Sequence, residues 1–147
     1  MRALLSTTAV LVAPLSAAAD VAITDGWARA SVLASRPAAA YLTLVSDRDD
    51  QLVGVSSPAA GRVALHASRT DGGGRSRMVG IDVLDLPADT AVTLTPGGAH
   101  LMLMELPEKL EEGTFLPLVL TFASGARIET RVPVLGPGAS GPHGDRR

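Results

Sequence analysis

The chain contains no cysteine. That absence removes thiol redox chemistry, a thiolate nucleophile, Cys-ligated zinc, iron–sulfur clusters and the blue-copper electron-transfer site, each of which needs a thiolate. An exported protein of this composition is therefore stabilised by burial and not by disulfides. Aromatic side chains are scarce: Trp27, Tyr41, Phe115 and Phe122 are the whole set, and core packing is the role expected of most of them. A basic face is missing too. The formal charge of −2 argues against nucleic acid as a partner. Gly72-Gly73-Gly74 lacks the strand, helix and Lys of a phosphate-binding loop. No nucleophile elbow and no internal repeat are present.

What is there begins with a leader. Residues 1–19 read as a cleavable export signal, with a basic start at Met1-Arg2 and a short apolar stretch from Ala3 to Leu15 broken by Pro14. Ser16-Ala17-Ala18-Ala19 supplies the small residues that signal peptidase requires. Cleavage there leaves Asp20 first and moves the formal charge from −2 to about −3. No later stretch is long and apolar enough to span a bilayer, so the mature protein is expected to be exported and not to cross a membrane. One domain is expected over residues 20–135, and residues 136–147, rich in Gly and Pro, read as a flexible tail.

Within the domain, short β segments alternate with turn residues. Strands are predicted over residues 21–31, 38–46, 51–57, 62–68, 78–86, 90–95, 99–106, 115–123 and 126–135. Residues 107–113 are expected to form a polar connection, and Ser124-Gly125 a two-residue hairpin turn. About eight or nine strands with almost no helical periodicity predict an all-β, antiparallel sandwich or barrel.

The most informative stretch is Gly97-Gly98-Ala99-His100-Leu101-Met102-Leu103-Met104. In a strand, His100 and Met102 leave the same face about 7 Å apart, while Leu101 and Leu103 point the other way. Imidazole with thioether is a soft donor pair, and among common metals it suits Cu(I) best. His66, closing the apolar run Val63-Ala64-Leu65, and Met78, beyond the glycine loop, complete a candidate set. Strand ends that follow turns can gather at one rim of a sandwich, which is where these four are expected to converge. Met104 shares a face with Met102, but core filling is favoured for it.

The same residues give the chain a resemblance to the periplasmic copper chaperones of the PCuAC type. Their motif is His, roughly ten residues, Met, twenty-one residues, then His-x-Met. Here Val79 to Ala99 are the 21 residues between Met78 and His100, and His100-Leu101-Met102 follows. Trp27-Ala28-Arg29, Ala39-Ala40-Tyr41-Leu42-Thr43, Ser57-Pro58, Leu86-Pro87-Ala88, Pro96-Gly97-Gly98 and Leu118-Val119-Leu120-Thr121-Phe122 extend the similarity over nearly all of the mature domain. Two departures stand out. Eleven residues separate His66 from Met78, one more than the motif, and the glycine loop can absorb it at little entropic cost. Arg75, Ser76 and Arg77 also occupy a loop where relatives carry Met or polar residues, and the His/Met-rich extension of some relatives is reduced to His143.

The resemblance implies a cupredoxin-like fold, Cu(I) as cargo held by His66, Met78, His100 and Met102, and delivery to a copper-accepting subunit of a membrane respiratory oxidase or to another copper carrier. Such a protein is not an enzyme. Two alternatives differ in class. One is an exported structural or adhesive β-sandwich in which the His and Met residues merely pack. The other is a metal-dependent enzyme, against which the thioethers speak, since Lewis-acid work favours harder donors.

Overall fold

Burial with a period of two builds this molecule. Along Phe115–Phe122, Leu116, Leu118, Leu120 and Phe122 are at most 2% exposed, while the residues between them face outward. A fully buried leucine or phenylalanine contributes about 1.5–3 kcal/mol, so three leucines and a phenylalanine in one strand hold that strand's register firmly. The computed structural model describes residues 18–142. Residues 1–17 of the expected leader, and His143, lie outside the described residues.

Ten strands and no helix are found among the described residues: β1 (Val21–Arg29), β2 (Ala38–Ser46), β3 (Asp50–Ser56), β4 (Arg62–Thr70), β5 (Ser76–Ile81), β6 (Leu84–Leu86), β7 (Val92–Thr93), β8 (Ala99–Met104), β9 (Phe115–Phe122) and β10 (Arg127–Leu135). They pair in the order β5-β4-β8-β2-β1-β10-β9-β3-β6, with β7 on β2. This ladder folds over on itself. Leu42, Leu44, Leu65, Leu101 and Leu103 from one half meet Leu52, Leu116, Leu118, Leu120, Phe122, Val132 and Val134 from the other in a single apolar core. The all-β sandwich reading holds.

Several local expectations need correction. The sandwich is not wholly antiparallel, because β1 and β10 run parallel, with Ala28 opposite Val134 and Arg29 opposite Leu135. A parallel joint needs a long connection, and here nearly the whole domain lies between the two strands. The single strand expected over residues 78–86 is two strands at opposite ends of the ladder, β5 on β4 and β6 on β3. The strand expected over 90–95 shrinks to β7, after which the Leu94 amide donates to the Leu42 carbonyl and the chain turns at Pro96-Gly97. The β9–β10 hairpin has three loop residues, not two: the Phe122 amide donates to the Ala126 carbonyl at 2.9 Å, and Gly125 takes φ +93°. That is the hairpin in which a glycine in the left-handed region closes a bulge. Phe115 is not core; it is 56% exposed with Arg131 lying over its ring at 5.1 Å. Residues 107–113 do form the expected non-helical connection, pinned where the Leu110 amide donates to Ser31 Oγ at 2.7 Å. Past β10, the Ala139 carbonyl accepts Arg29 Nε–H at 2.7 Å, so the start of the tail lies against the body.

Candidate metal site

The site is assembled by register. β8 is held between β2 and β4: Leu101 faces Ala40 and Leu65, Met102 faces Ala39 and Ala64, and His100 faces His66. On the far edge of β4, His66 faces Gly80 and Ser68 faces Met78 of β5. Since alternate residues share a face, His66, Met78, His100 and Met102 all leave the outward side of this sheet. Leu65, Leu101 and Leu103 enter the core. The four positions share a sheet face near an edge strand, and not the loop rim expected from the sequence.

His100 follows a four-residue detour. β7 and β8 lie on successive parts of the same edge of β2. Between them Thr95, Pro96, Gly97 and Gly98 bulge outward, closed by Thr95 N–H to the Ala99 carbonyl at 3.1 Å and Gly98 N–H to the Thr95 carbonyl at 3.0 Å. Gly97 adopts φ +83°, which favours glycine. The detour carries the Gly98 carbonyl back to His100 Nδ1 at 3.1 Å. A carbonyl only accepts, so Nδ1 carries the proton and the lone pair of the neutral ring is on Nε2. The His100 ring is 5% exposed. Its direct neighbour is His66, with ring centres 6.0 Å apart and edge to face.

His66 is unlike His100 in one respect: its Nδ1 is buried and has no hydrogen-bond partner. An orphaned buried polar atom costs about 1–3 kcal/mol. Burial, then the neighbouring His100 and the charge of Arg62, hold the His66 imidazole below its ordinary pKa and so favour the neutral, donor-competent form. Two imidazoles sharing one ion at about 2.0–2.1 Å from each nitrogen have ring centres roughly 6 Å apart. The 6.0 Å between the His66 and His100 ring centres is close to that separation.

The methionines differ. Met102 is half-buried between Ala39 and Ala64, whose small side chains leave room for the thioether beside His100. Met78 is on the edge strand, diagonal to His66 and two strands from His100, and 58% exposed. The register thus brings His66, His100 and Met102 into immediate proximity. Met78 shares their face but stands at its open margin. Met104 pairs with Arg62, half-buried one step beyond Met102.

Reading the sequence did not foresee the surroundings. Trp27 and Tyr41 are buried, but they stack on each other at 4.5 Å on the outward face, and Tyr41 lies 6.5 Å from His100. Arg29 caps both rings at 5.7 Å. The period-two phase of Trp27-Ala28-Arg29 and Ala40-Tyr41-Leu42 carries this signal, once Ala28, Ala40 and Leu42 are known to point inward. Gly80 and the Gly98 carbonyl were likewise not singled out. Harder donors gather elsewhere. Asp49, Asp50 and Asp85 line a cleft of about 570 Å³, where they accept from Ala88 N–H, from Ser124 and Gln51, and from Gln51 Nε2 respectively. Among the described residues no three His, Cys, Asp or Glu side chains form a metal-holding group, and Met102 is the side-chain donor that stands beside the His66–His100 pair. No described helix is long and apolar enough to cross a membrane.

Comparison with known proteins agrees with this architecture. Residues 21–134 match the LpqE-like lipoprotein family model. Lxx21020 of Leifsonia xyli subsp. xyli (strain CTCB07), named as a candidate lipoprotein, is 35% identical over 83 residues, 56% of this chain. That match spans about half, 50%, of the curated relative's length. Among solved structures, the copper-bound PCuAC domain from PmoF2 superposes with a TM-score of 0.67 at 26% identity, over 82% of this chain and 97% of that domain. The Cu(I) form of DR1885 from Deinococcus radiodurans gives 0.59 at 32% identity, over 77% and 78% respectively. A match across residues 21–134, together with the same strand framework in those domains, shows that the chain belongs to the LpqE-like family and has the fold of the PCuAC domains.

Proposed function

We propose that this protein is an exported copper carrier that holds Cu(I) through His66, Met78, His100 and Met102 and passes it to a copper-accepting membrane oxidase subunit or another copper carrier. The observation that supports the reading most is the His66–His100 pair, with its 6.0 Å spacing and the partnerless Nδ1 of His66. A soft ion would satisfy that nitrogen while Met102 supplies sulfur from the adjacent position. The copper-bound and Cu(I) states of similar domains, and the lipoprotein character of the family, support cargo and export alike. Without a thiolate the site carries little charge, and Met78 stands where an incoming ligand from an acceptor can replace it. Transfer is then stepwise ligand exchange, with no substrate bond made or broken.

The test is a Cu(I) titration against a competing chelator, with X-ray absorption on the loaded protein. One equivalent of Cu(I) with mixed nitrogen and sulfur scattering is expected. The double variant His100→Ala with Met102→Ala should bind at least about tenfold more weakly, or about 1.4 kcal/mol. Equal affinity in the variant would leave the His and Met residues as packing and the carrier reading without support.

A further inference from the structure

The β4–β5 hairpin reaches past the rest of its sheet. β8 pairs with β4 only as far as Ala67, while β5 continues to Thr70. Ser68 N–H still donates to the Gly98 carbonyl at 3.4 Å, and the last two rungs, Arg69–Arg77 and Thr70–Ser76, protrude beyond it beside the candidate metal site. The tip is held in shape by a Thr70 Oγ1–Ser76 Oγ hydrogen bond of 3.0 Å and by Asp71 Oδ1, which accepts the amides of Gly73 and Arg75 at 2.9 and 3.0 Å. Arg69 and Arg77 stand directly opposite each other on the face of the hairpin away from Met78, and like charges in that position destabilise a ladder. Arg75 adds a third guanidinium in the turn. All three are exposed, and among the described residues none of them forms an ion pair: the salt bridges there join Arg48 to Asp47, Lys109 to Glu111 and Arg127 to Glu129. With Asp71 in the same turn, residues 69–78 carry three Arg against one Asp, a formal charge of +2 in a protein whose total is −2, on the element that holds its most exposed metal-ligand candidate.

We propose that this hairpin is the docking element for a protein copper acceptor with a carboxylate-rich surface around its own metal ligands. The proposal rests on the copper-carrier reading above. Guanidinium forks pair with carboxylates bidentately. At the rim of a contact such charges raise the association rate and align the partners, and screening by salt weakens both effects. Alignment matters here because Met78 must meet the incoming ligand before the ion moves. A lipid surface is the poorer fit. Membrane-binding segments gather about four to eight cations, and interfacial anchors add Trp or other large apolar residues, whereas this tip offers three arginines and an aspartate among Ser, Thr and Gly.

The test uses the copper-free protein, so that docking is read separately from metal binding. Titration with decaglutamate, followed by backbone amide NMR at low ionic strength, is expected to shift residues 69–78 first. The shifts should fade as the Debye length falls to about 8 Å near 0.15 M salt. The triple variant Arg69→Ser, Arg75→Ser, Arg77→Ser should lose them and should receive anionic chelators from the loaded state about tenfold more slowly. Its Cu(I) affinity should remain within about twofold of the parent. A control with Arg36, Arg127 and Arg131 changed to Ser carries the same net charge and should behave like the parent. Shifts spread over the whole surface, or an equal loss in the control, would overturn the proposal. So would a hairpin that is silent to decaglutamate but drives co-sedimentation with phosphatidylglycerol vesicles, which would make the occupant a membrane. Docking that survives in a protein unable to bind Cu(I) would overturn the carrier reading, and the acceptor's role with it.

Discussion

Gly80 offers a way to separate fold from function at the same position. It stands opposite His66 and is exposed, and a methyl group built there would meet nothing within 4 Å. Its backbone shows no positive φ, so nothing local demands glycine. Gly80→Ala should therefore raise stability by about 0.4–1 kcal/mol, chiefly by restricting the unfolded chain. For a domain of this size that is a rise in melting temperature of about 2–4 °C. Gly80→Leu goes further, because cross-strand Cβ atoms lie only about 4.5–5.5 Å apart and the new side chain would cover His66. Exposing roughly half of that leucine again to let the ion leave costs about 1–1.5 kcal/mol, which slows release about five- to tenfold. Thermal unfolding of the copper-free protein and stopped-flow transfer of Cu(I) to a chelator measure the two effects. A lower melting temperature for Gly80→Ala would show that the backbone needs glycine there. Unchanged release from Gly80→Leu would show that ions do not pass over His66, and the reasoning would fail.

Three further outcomes are expected. Because His66 sits below its ordinary pKa through burial and neighbouring positive charge, the unfolded chain binds its proton first as pH falls. Its contribution therefore destabilises the fold below about 6.5, and denaturant melts from pH 7.5 to 5 should show the loss shrink in His66→Gln. Asp50 is the opposite case: burial would raise its pKa, but donors from Ser124 and Gln51, with Arg48 nearby, bring it below the usual carboxylate value. Its stabilisation is present above about 3.9 and lost as acid protonates the folded form. Asp50→Ala should cost about 1–3 kcal/mol in urea unfolding at neutral pH, since it leaves the Ser124 and Gln51 amides unpaired. Leu101→Ala, at a fully buried position between His100 and Met102, should cost about 2–5 kcal/mol; calorimetry showing under 1 kcal/mol would mean that the core does not fix this strand.

Much of this arrangement was legible because core residues announce their parity. Residues 38–46 were bounded correctly, and the outward placement of His100 and Met102 against Leu101 and Leu103 follows from alternation alone. The break between β5 and β6 also has a signal in the sequence. Across residues 78–86 the apolar positions run Val79, Ile81, Val83 and then Leu84, Leu86, so the phase slips by one residue. A strand cannot bury both sets on one face, and the chain resolves the conflict by leaving β4 after Ile81 and pairing Leu84–Leu86 with β3. Other features had no local signal. The order β5-β4-β8 that sets His66 opposite His100, and the parallel joint of β1 with β10, depend on pairings between distant segments. Sequence spacing along one strand does not encode them. Yet the same core that hides this order protects the site. Leu65, Leu101 and Leu103 share strands with His66, His100 and Met102 at the intervening positions, and a slip of one residue would send the leucines to water and the imidazoles inward. The packing energy of those leucines is therefore what holds the two imidazoles in register, and a variant that loosens it should blur the His66–His100 pairing before the sandwich itself unfolds.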